Sequence, residues 1–272
     1  MDKFTVLMPL YNGDIAAAFS EALNSIIINQ TRKPDQIVLV VDGPINETLE
    51  QELSKWVDHL DIIRIPNNIG LSNALNHGVN FCSNELIFRM DSDDVALPTR
   101  FEKQMEFFRC NPQADMCSTW VKHYDGDMEK YIGDRKVPNA PDANAQYGMT
   151  RTPVNHVSLA FRKSSLSNAG GYPDTRLPFE DWWICLRVLK AGGTIHNIPE
   201  YLVNVRASPS FYERRSGLSY AKMEFTALHQ MYVEGILPFK WCIVNLATRI
   251  PLRLIPKKWL SKFYETVIRK FF

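Results

Sequence analysis

Asp91-Ser92-Asp93-Asp94 follows directly on the apolar run Leu86-Ile87-Phe88-Arg89-Met90. The run reads as a buried strand, and carboxylates at the end of such a strand sit where open α/β sheets bind their ligands. Clustered carboxylate oxygens suit a divalent cation held jointly with a phosphorylated molecule. Spacing alone carries little weight. Asp125-Gly126-Asp127 repeats the Asp-x-Asp pattern in a polar, turn-like stretch and receives no role. Asp42 also closes an apolar run, 36–42, so Asp42, Asp91 and Asp93 are expected to face one crevice.

The elements that must position these groups alternate. Strand-like runs at 4–10, 36–42, 62–65 and 86–90 are separated by helical patterns at 15–29, 47–59 and 71–81. That βαβαβαβ order implies an α/β fold with a single doubly wound, mostly parallel sheet flanked by helices, joined by right-handed crossovers. A helix over 100–110 follows, then an extended run at 116–124, a polar connection at 125–144 and an apolar run at 156–161. A further helix is predicted from Glu180 to a glycine stop at Gly192-Gly193.

The chain has 272 residues, 45% of them apolar, enough for one large continuous core. Its five cysteines form no CxxC pair, and the first strand begins without a signal-peptide core. Both features lead us to expect a reducing, cytoplasmic setting and no zinc cluster. The net charge of +1 conceals an asymmetry, because residues 236–272 hold eight Lys or Arg against one Glu. Residues 1–235 are correspondingly acidic, which argues against a nucleic-acid role.

No GxGxxG follows the first strand and no GxxxxGK[ST] occurs. A nucleotide site must therefore neutralise phosphates with metal and basic side chains. Five segments are specific in combination: Val6-Leu7-Met8-Pro9-Leu10-Tyr11-Asn12, Val40-Val41-Asp42-Gly43, Asn68-Ile69-Gly70-Leu71-Ser72-Asn73-Ala74-Leu75-Asn76, Arg89-Met90-Asp91-Ser92-Asp93-Asp94 and Glu180-Asp181-Trp182-Trp183. In order and spacing they resemble the family 2 glycosyltransferases with the GT-A fold, over roughly residues 3–205. The likeness is to the bacterial branch that builds O-antigen and exopolysaccharide. It implies an inverting enzyme with a donor half at about 1–110 and an acceptor half at about 111–235, and the composition of 236–272 adds a basic amphipathic helical tail. A nucleotide sugar, UDP-linked in the commonest case, would be the donor, and a polyprenyl-diphosphate-linked saccharide the acceptor.

The resemblance also implies roles for individual residues. Asp93 is the expected ligand of Mn²⁺ or Mg²⁺, with Asp91 bridging between metal and ribose beside Ser92. Pro9, Leu10 and Tyr11 would line the base pocket with Asp42, which ordinary Asp-Gly turn chemistry explains as well. Asn68, Gly70 and Asn73 open a helix whose amide groups could meet the donor, or simply cap it. Asp181 is the candidate general base, with Glu180 the second choice, since an attacking hydroxyl needs a carboxylate to take its proton. Both acids would also complement a helix N-terminus. Trp182, Trp183 and His156 are candidate acceptor contacts. Many members carry a His downstream of the base helix, where this chain reads Arg206-Ala207-Ser208. That leaves a third protein ligand unassigned and makes Arg214 and Arg215 candidates for the diphosphate.

Residues 236–272 interleave Trp, Phe and aliphatic residues with the eight basic ones, and contain no apolar run long enough to span a bilayer. Such a segment suits the interface of an anionic membrane, which gives a peripheral location on the inner face of the cell membrane, or else a helix pair that closes a core. Two other classes share parts of this pattern. A metal-dependent sugar nucleotidyltransferase would release pyrophosphate, and a membrane-docked nucleotide-sugar-binding protein would not depend on Asp93 or Asp181.

Overall fold

The computed structural model describes residues 2–207 and 216–254. Arg214, Arg215 and the tail beyond 254 lie outside the described residues.

The first compact unit takes the chain to Arg176 and then Glu180–Arg206. It opens with β1 (Phe4–Leu10), α1 (Ala16–Ile27), β2 (Gln36–Asp42), α2 (Glu47–Ser54), β3 (Asp61–Ile65), α3 (Leu71–Val79) and β4 (Leu86–Arg89). These strands pair in parallel in the order β3-β2-β1-β4, as the alternation predicts. Both faces of β1 are buried: Phe4, Val6, Met8 and Leu10 pack with Phe19 and Leu23 of α1, while Leu7 packs with Ala74 and Leu75 of α3. That is why these strands read as continuous apolar runs. The predicted helix 47–59 is shorter than expected. Asn46 caps it by accepting the Leu49 amide at 3.0 Å, but it ends at Ser54, and a separate turn spans Val57–His59.

Beyond β4 the sheet becomes mixed. β5 (Val95–Ala96), α4 (Arg100–Cys110), β6 (Met116–Tyr124), β7 (Tyr131–Arg135), α5 (Pro141–Gly148), β8 (Ala160–Arg162), α6 (Lys163–Asn168), α7 (Glu180–Lys190) and β9 (Ile195–Arg206) complete the unit. The sheet continues β4-β8-β6-β9-β5, with β7 paired to β6. β8 runs antiparallel to both β4 and β6, whereas β9 is parallel to β6. Asp125 shapes the β6–β7 turn by accepting the amides of Glu129 and Lys130, which accounts for the second Asp-x-Asp as turn chemistry.

The parallel half fixes where the site must lie. Leu10 is level with Val41, and Leu7 with Arg89, so the chain leaves β1, β2 and β4 along one sheet edge and delivers residues 11–14, Asp42 and Asp91 to it.

The second unit comprises Leu177–Phe179 and the described residues from Ala207. Its helices α8 (Leu218–Val233) and α9 (Phe239–Leu254) are joined by a tight turn in which Gly235 has φ +67°. Glu224, fully buried, accepts from Nε of Arg249 at 2.7 Å and Nε of Arg253 at 2.6 Å. The expected boundary between 235 and 236 falls inside this unit, at the α8–α9 turn. The unit begins about 30 residues earlier, because α8 buries Ala227, Leu228 and Met231 and a lone helix could not cover that face.

Gly78 sets the fit of α3 on the sheet. A Cβ there would come within 2.5 Å of Val40 and 2.6 Å of Leu7. Gly78→Val is expected to lower stability by about 1–3 kcal/mol through overpacking. A chemical-denaturation midpoint unchanged from wild type would contradict this packing.

Candidate active site

Three carboxylates meet just past β4. Asp91, Asp93 and Asp94 each offer a ligand oxygen, and all lie within 4.8 Å of one another. Bringing like charges so close needs counter-charge beneath them. Arg89, only 2% exposed, supplies it as a two-pronged fork on Asp91: Nη1 donates to Oδ2 at 2.5 Å, and Nη2 donates to Oδ1. Burial opposes the charge on Arg89, but Asp91, Tyr172 and Asp94 outweigh it and hold the guanidinium above its ordinary pKa. A second buried cation, Arg100, donates to the Arg89 carbonyl at 2.6 Å and to Met90 Sδ at 2.8 Å, and props up the strand end. Burial, then the neighbouring Arg89, lowers its pKa to about 9, so it stays charged at neutral pH.

Asp14 joins the cluster from the loop after β1. Its Oδ2 accepts the Tyr11 amide at 3.0 Å and the Ser92 hydroxyl at 2.8 Å. Burial pushes Asp14 up to about 6, with Asp91 adding to the rise. Asp93 is also pushed up to about 6, first by burial and then by Asp91 and Asp14. Asp94 is raised well above the ordinary value by burial, Asp91 and Asp93, although the Arg206 amide donates to it at 2.7 Å. Arg206 also donates from Nε to the Asp93 carbonyl at 3.0 Å and from Nη2 to Glu21 at 2.6 Å. Among the described residues, Asp93 and Asp14 form no ion pair. Their charge can be met by a proton or by a cation.

The donor-side candidates divide. Tyr11 is exposed and Pro9 half-buried, but Leu10 is 1% exposed and belongs to the core, so it does not line a pocket. The alternation of β1 turns it inward with Val6 and Met8. Asp42 is buried, and its carboxylate shapes the loop before α3: Oδ1 accepts the Ile69 amide at 2.7 Å, while Oδ2 accepts the Gly70 amide at 3.0 Å and Asn68 Nδ2 at 2.9 Å. Gly70 has φ +88°, a conformation that favours glycine. Asn73 donates to Asp174 at 2.8 Å. Ser92 is buried against Asp14.

On the acceptor side, Glu180 and Asp181 occupy the first turn of α7. Trp182 and Trp183, expected to wall an acceptor sugar, are each 1% exposed and pack in the core. The Trp182 indole donates to the Gly148 carbonyl at 2.5 Å. With both indoles buried, no ring face is open for stacking. His156 faces the hydroxyl of Tyr172, with 2.9 Å from Nε2 to oxygen. Burial and the charge of Arg89 hold the imidazole well below its ordinary pKa, so it is neutral at pH 7. Tyr172 lies within electrostatic reach of Arg89, Glu180 and Asp181 alike, which ties the acidic cluster and the start of α7 to one buried neighbourhood. Arg135 is the cation that senses Asp181, and donates to the carbonyls of Thr152 and Val154.

Sequence reasoning missed Asp14, Arg89, Arg100 and Arg206. Arg89 had a signal, since a charge inside an apolar strand run is rare unless paired. Asp14, four residues past β1, lay within reach of the same sheet edge. The others gave no local signal.

The hard oxygen donors of Asp91, Asp93 and Asp94 fit Mg²⁺ or Mn²⁺. The raised carboxylates have a consequence for the metal-free protein. The folded pKa of Asp14 and Asp93, about 6, exceeds the ordinary 3.8. Their ionised forms therefore destabilise the fold above that pH, and the penalty is relieved as pH falls through 6 towards 3.8. Asp93→Asn at pH 7 is expected to stabilise the metal-free protein by about 1–3 kcal/mol, read as a higher melting temperature. A lower melting temperature would contradict the burial of an uncompensated charge.

Comparison with known proteins agrees with this geometry. The model of Glycosyl transferase family 2 matches residues 5–168. The UDP-Gal:alpha-D-GlcNAc-diphosphoundecaprenol beta-1,3-galactosyltransferase of Escherichia coli is 34% identical, covering 99% of this chain and 98% of its own. The amylovoran biosynthesis glycosyltransferase AmsE of Erwinia amylovora is 32% identical over 96% of this chain and 98% of its own. Among solved structures, S. aureus TarS in complex with UDP-GlcNAc superposes with a TM-score of 0.65 at 18% identity, covering 97% of this chain and 73% of that one. The mannosyltransferase PcManGT from Pyrobaculum calidifontis, in complex with GDP-Man and Mn²⁺, gives 0.65 at 15% identity, over 97% and 75%. The chain belongs to glycosyl transferase family 2 and has the mixed α/β fold of its GT-A members.

Proposed function

We propose that this glycosyltransferase moves a sugar from a UDP-linked donor, with inversion, to a saccharide carried on a polyprenyl diphosphate, in the building of a bacterial surface polysaccharide. The observation that carries the reading is the set of three carboxylates at the end of β4 in a chain that matches, nearly end to end, a galactosyltransferase named for a diphosphoundecaprenol-linked acceptor. Asp93 holds the divalent cation with Asp91. When bound, that cation neutralises the charge that collects on the departing diphosphate. Tyr11, Pro9 and the loop 68–70, braced by Asp42, receive the nucleoside. Asp181 takes the proton of the acceptor hydroxyl as its oxygen bonds to the anomeric carbon and the bond to the diphosphate oxygen breaks. His156, neutral and oriented by Tyr172, faces the acceptor.

The second unit suits a peripheral place on the cytoplasmic face of the membrane. Phe225, Val233, Phe239, Ile243, Val244 and Leu254 are all exposed, together with Lys222 and Lys240. The acid of α8, Glu224, is buried between two arginines. An apolar face with basic residues and no exposed carboxylate on either helix favours an anionic lipid surface. Among the described residues no helix is long and apolar enough to cross a membrane.

Three outcomes are expected. Asp181→Asn abolishes transfer, by about a hundredfold or more, while UDP binding, followed by calorimetry, is retained; near-normal turnover would remove Asp181 from the mechanism. With a synthetic lipid-diphosphate acceptor, a panel of nucleotide sugars releases nucleoside diphosphate only when Mn²⁺ or Mg²⁺ is present; release of pyrophosphate would instead identify a nucleotidyltransferase. Replacing Phe239 and Ile243 together by Ser lowers co-sedimentation with anionic vesicles and leaves the melting temperature within a few degrees; unchanged sedimentation would rule out this face as the membrane contact.

A further inference from the structure

We propose that Arg89 is a resident counter-cation that holds down the affinity of the acidic cluster for a free divalent ion, so that the metal binds tightly only together with the donor's diphosphate. The inference rests on the metal-dependent reading above and assigns a positioning residue to it.

Both oxygens of Asp91 accept from the Arg89 fork, and the guanidinium is buried, so the positive charge beneath the site is permanent while Asp91 keeps an open side for a cation. The pair is fixed from below. The Arg89 amide donates to the Leu159 carbonyl at 2.7 Å, and Arg100 grips the Arg89 carbonyl, so the backbone that carries the side chain is fixed in β4. Of the cluster, Arg206 holds Asp94 through its amide and Asp93 only through its carbonyl, while its own charge is shared with Glu21. The arriving cation therefore meets one neutralised carboxylate, Asp91, one buried carboxylate, Asp94, and the carboxylates of Asp93 and Asp14. Two buried guanidiniums, Arg89 and Arg100, repel it from beneath. A diphosphate adds the missing negative charge and oxygen ligands on the open side. Electrostatic attraction between the two arriving groups then offsets the repulsion that Arg89 imposes on the cation alone.

The test counts protein-bound Mn²⁺ by electron paramagnetic resonance, with and without UDP, GDP or dTDP, on wild type, Arg89→Gln and Arg89→Lys. The wild type is expected to bind Mn²⁺ at least about tenfold more tightly when one of the nucleoside diphosphates is present. Arg89→Gln removes the charge and is expected to raise the affinity for Mn²⁺ alone by about tenfold, shrinking the effect of the nucleotide. Arg89→Lys keeps the charge and should restore weak binding. A role limited to support of the fold predicts the reverse sign, with Mn²⁺ binding lost in Arg89→Gln. Asp91 is partly open to water, so it can hydrate when its partner is removed; circular dichroism checks that the variant folds. If Arg89→Gln does not fold, the wild-type comparison decides alone: Mn²⁺ bound equally tightly without nucleotide overturns the inference and leaves the metal-dependent reading intact. Failure of any nucleoside diphosphate to bring Mn²⁺ onto the wild type overturns that reading itself.

Discussion

The structure turns on the confinement of like charge at the end of β4. Asp91, Asp93 and Asp94 each offer an oxygen within 4.8 Å of the others, with Asp14 alongside, in a half-buried place that stays open to water on one side. Such an arrangement is unfavourable unless cations are built in beneath it. The fold provides them as buried Arg89 and Arg100 and as Arg206 at the end of β9. Much of the surrounding architecture serves this confinement. β8 pins the backbone of β4 on its outer side, α4 carries Arg100, and β9 brings Arg206 across to Asp93 and Asp94.

A site assembled in this way is strained in one respect and rigid in another. Asp93 and Asp14 are held short of counter-charge, so ionised they weaken the fold they belong to. They are nonetheless held in place, the Asp14 side chain by the Ser92 hydroxyl and the Asp93 backbone carbonyl by Arg206. On the proposed reading, function and stability pull against each other at the same residues, which is a common feature of active sites. The loop proposed to receive the nucleoside is built differently. Asp42 spends its carboxylate on the amides of the 68–70 loop, so its contribution is the shape of that loop.

The parallel half of the fold was legible because a central parallel strand is buried on both faces and therefore reads as an unbroken apolar run; β1, β2 and β4 all have this signature. The second half was less legible for a physical reason. β5 and β8 have two and three residues, too few for any periodicity, and their place is set by partners more than 40 residues distant. The acidic triad was legible from composition and position. Its buried arginines were not, since Arg100 opens a helix as any exposed arginine might, and only the tertiary fold turns it inward. Trp182 and Trp183 mark the opposite failure. Large aromatics beside a candidate catalytic carboxylate suggest stacking, but the two indoles are buried and belong to the core.

The central claim is that Asp93 carries the cation that the departing diphosphate needs. Its most direct test is anomalous diffraction from crystals soaked with Mn²⁺ and UDP. The account predicts one strong manganese peak within direct coordination distance of an Asp93 carboxylate oxygen, about 2.0–2.3 Å, and also bonded to diphosphate oxygen. A bound UDP with no manganese at Asp93, or manganese seated on other side chains, would contradict it.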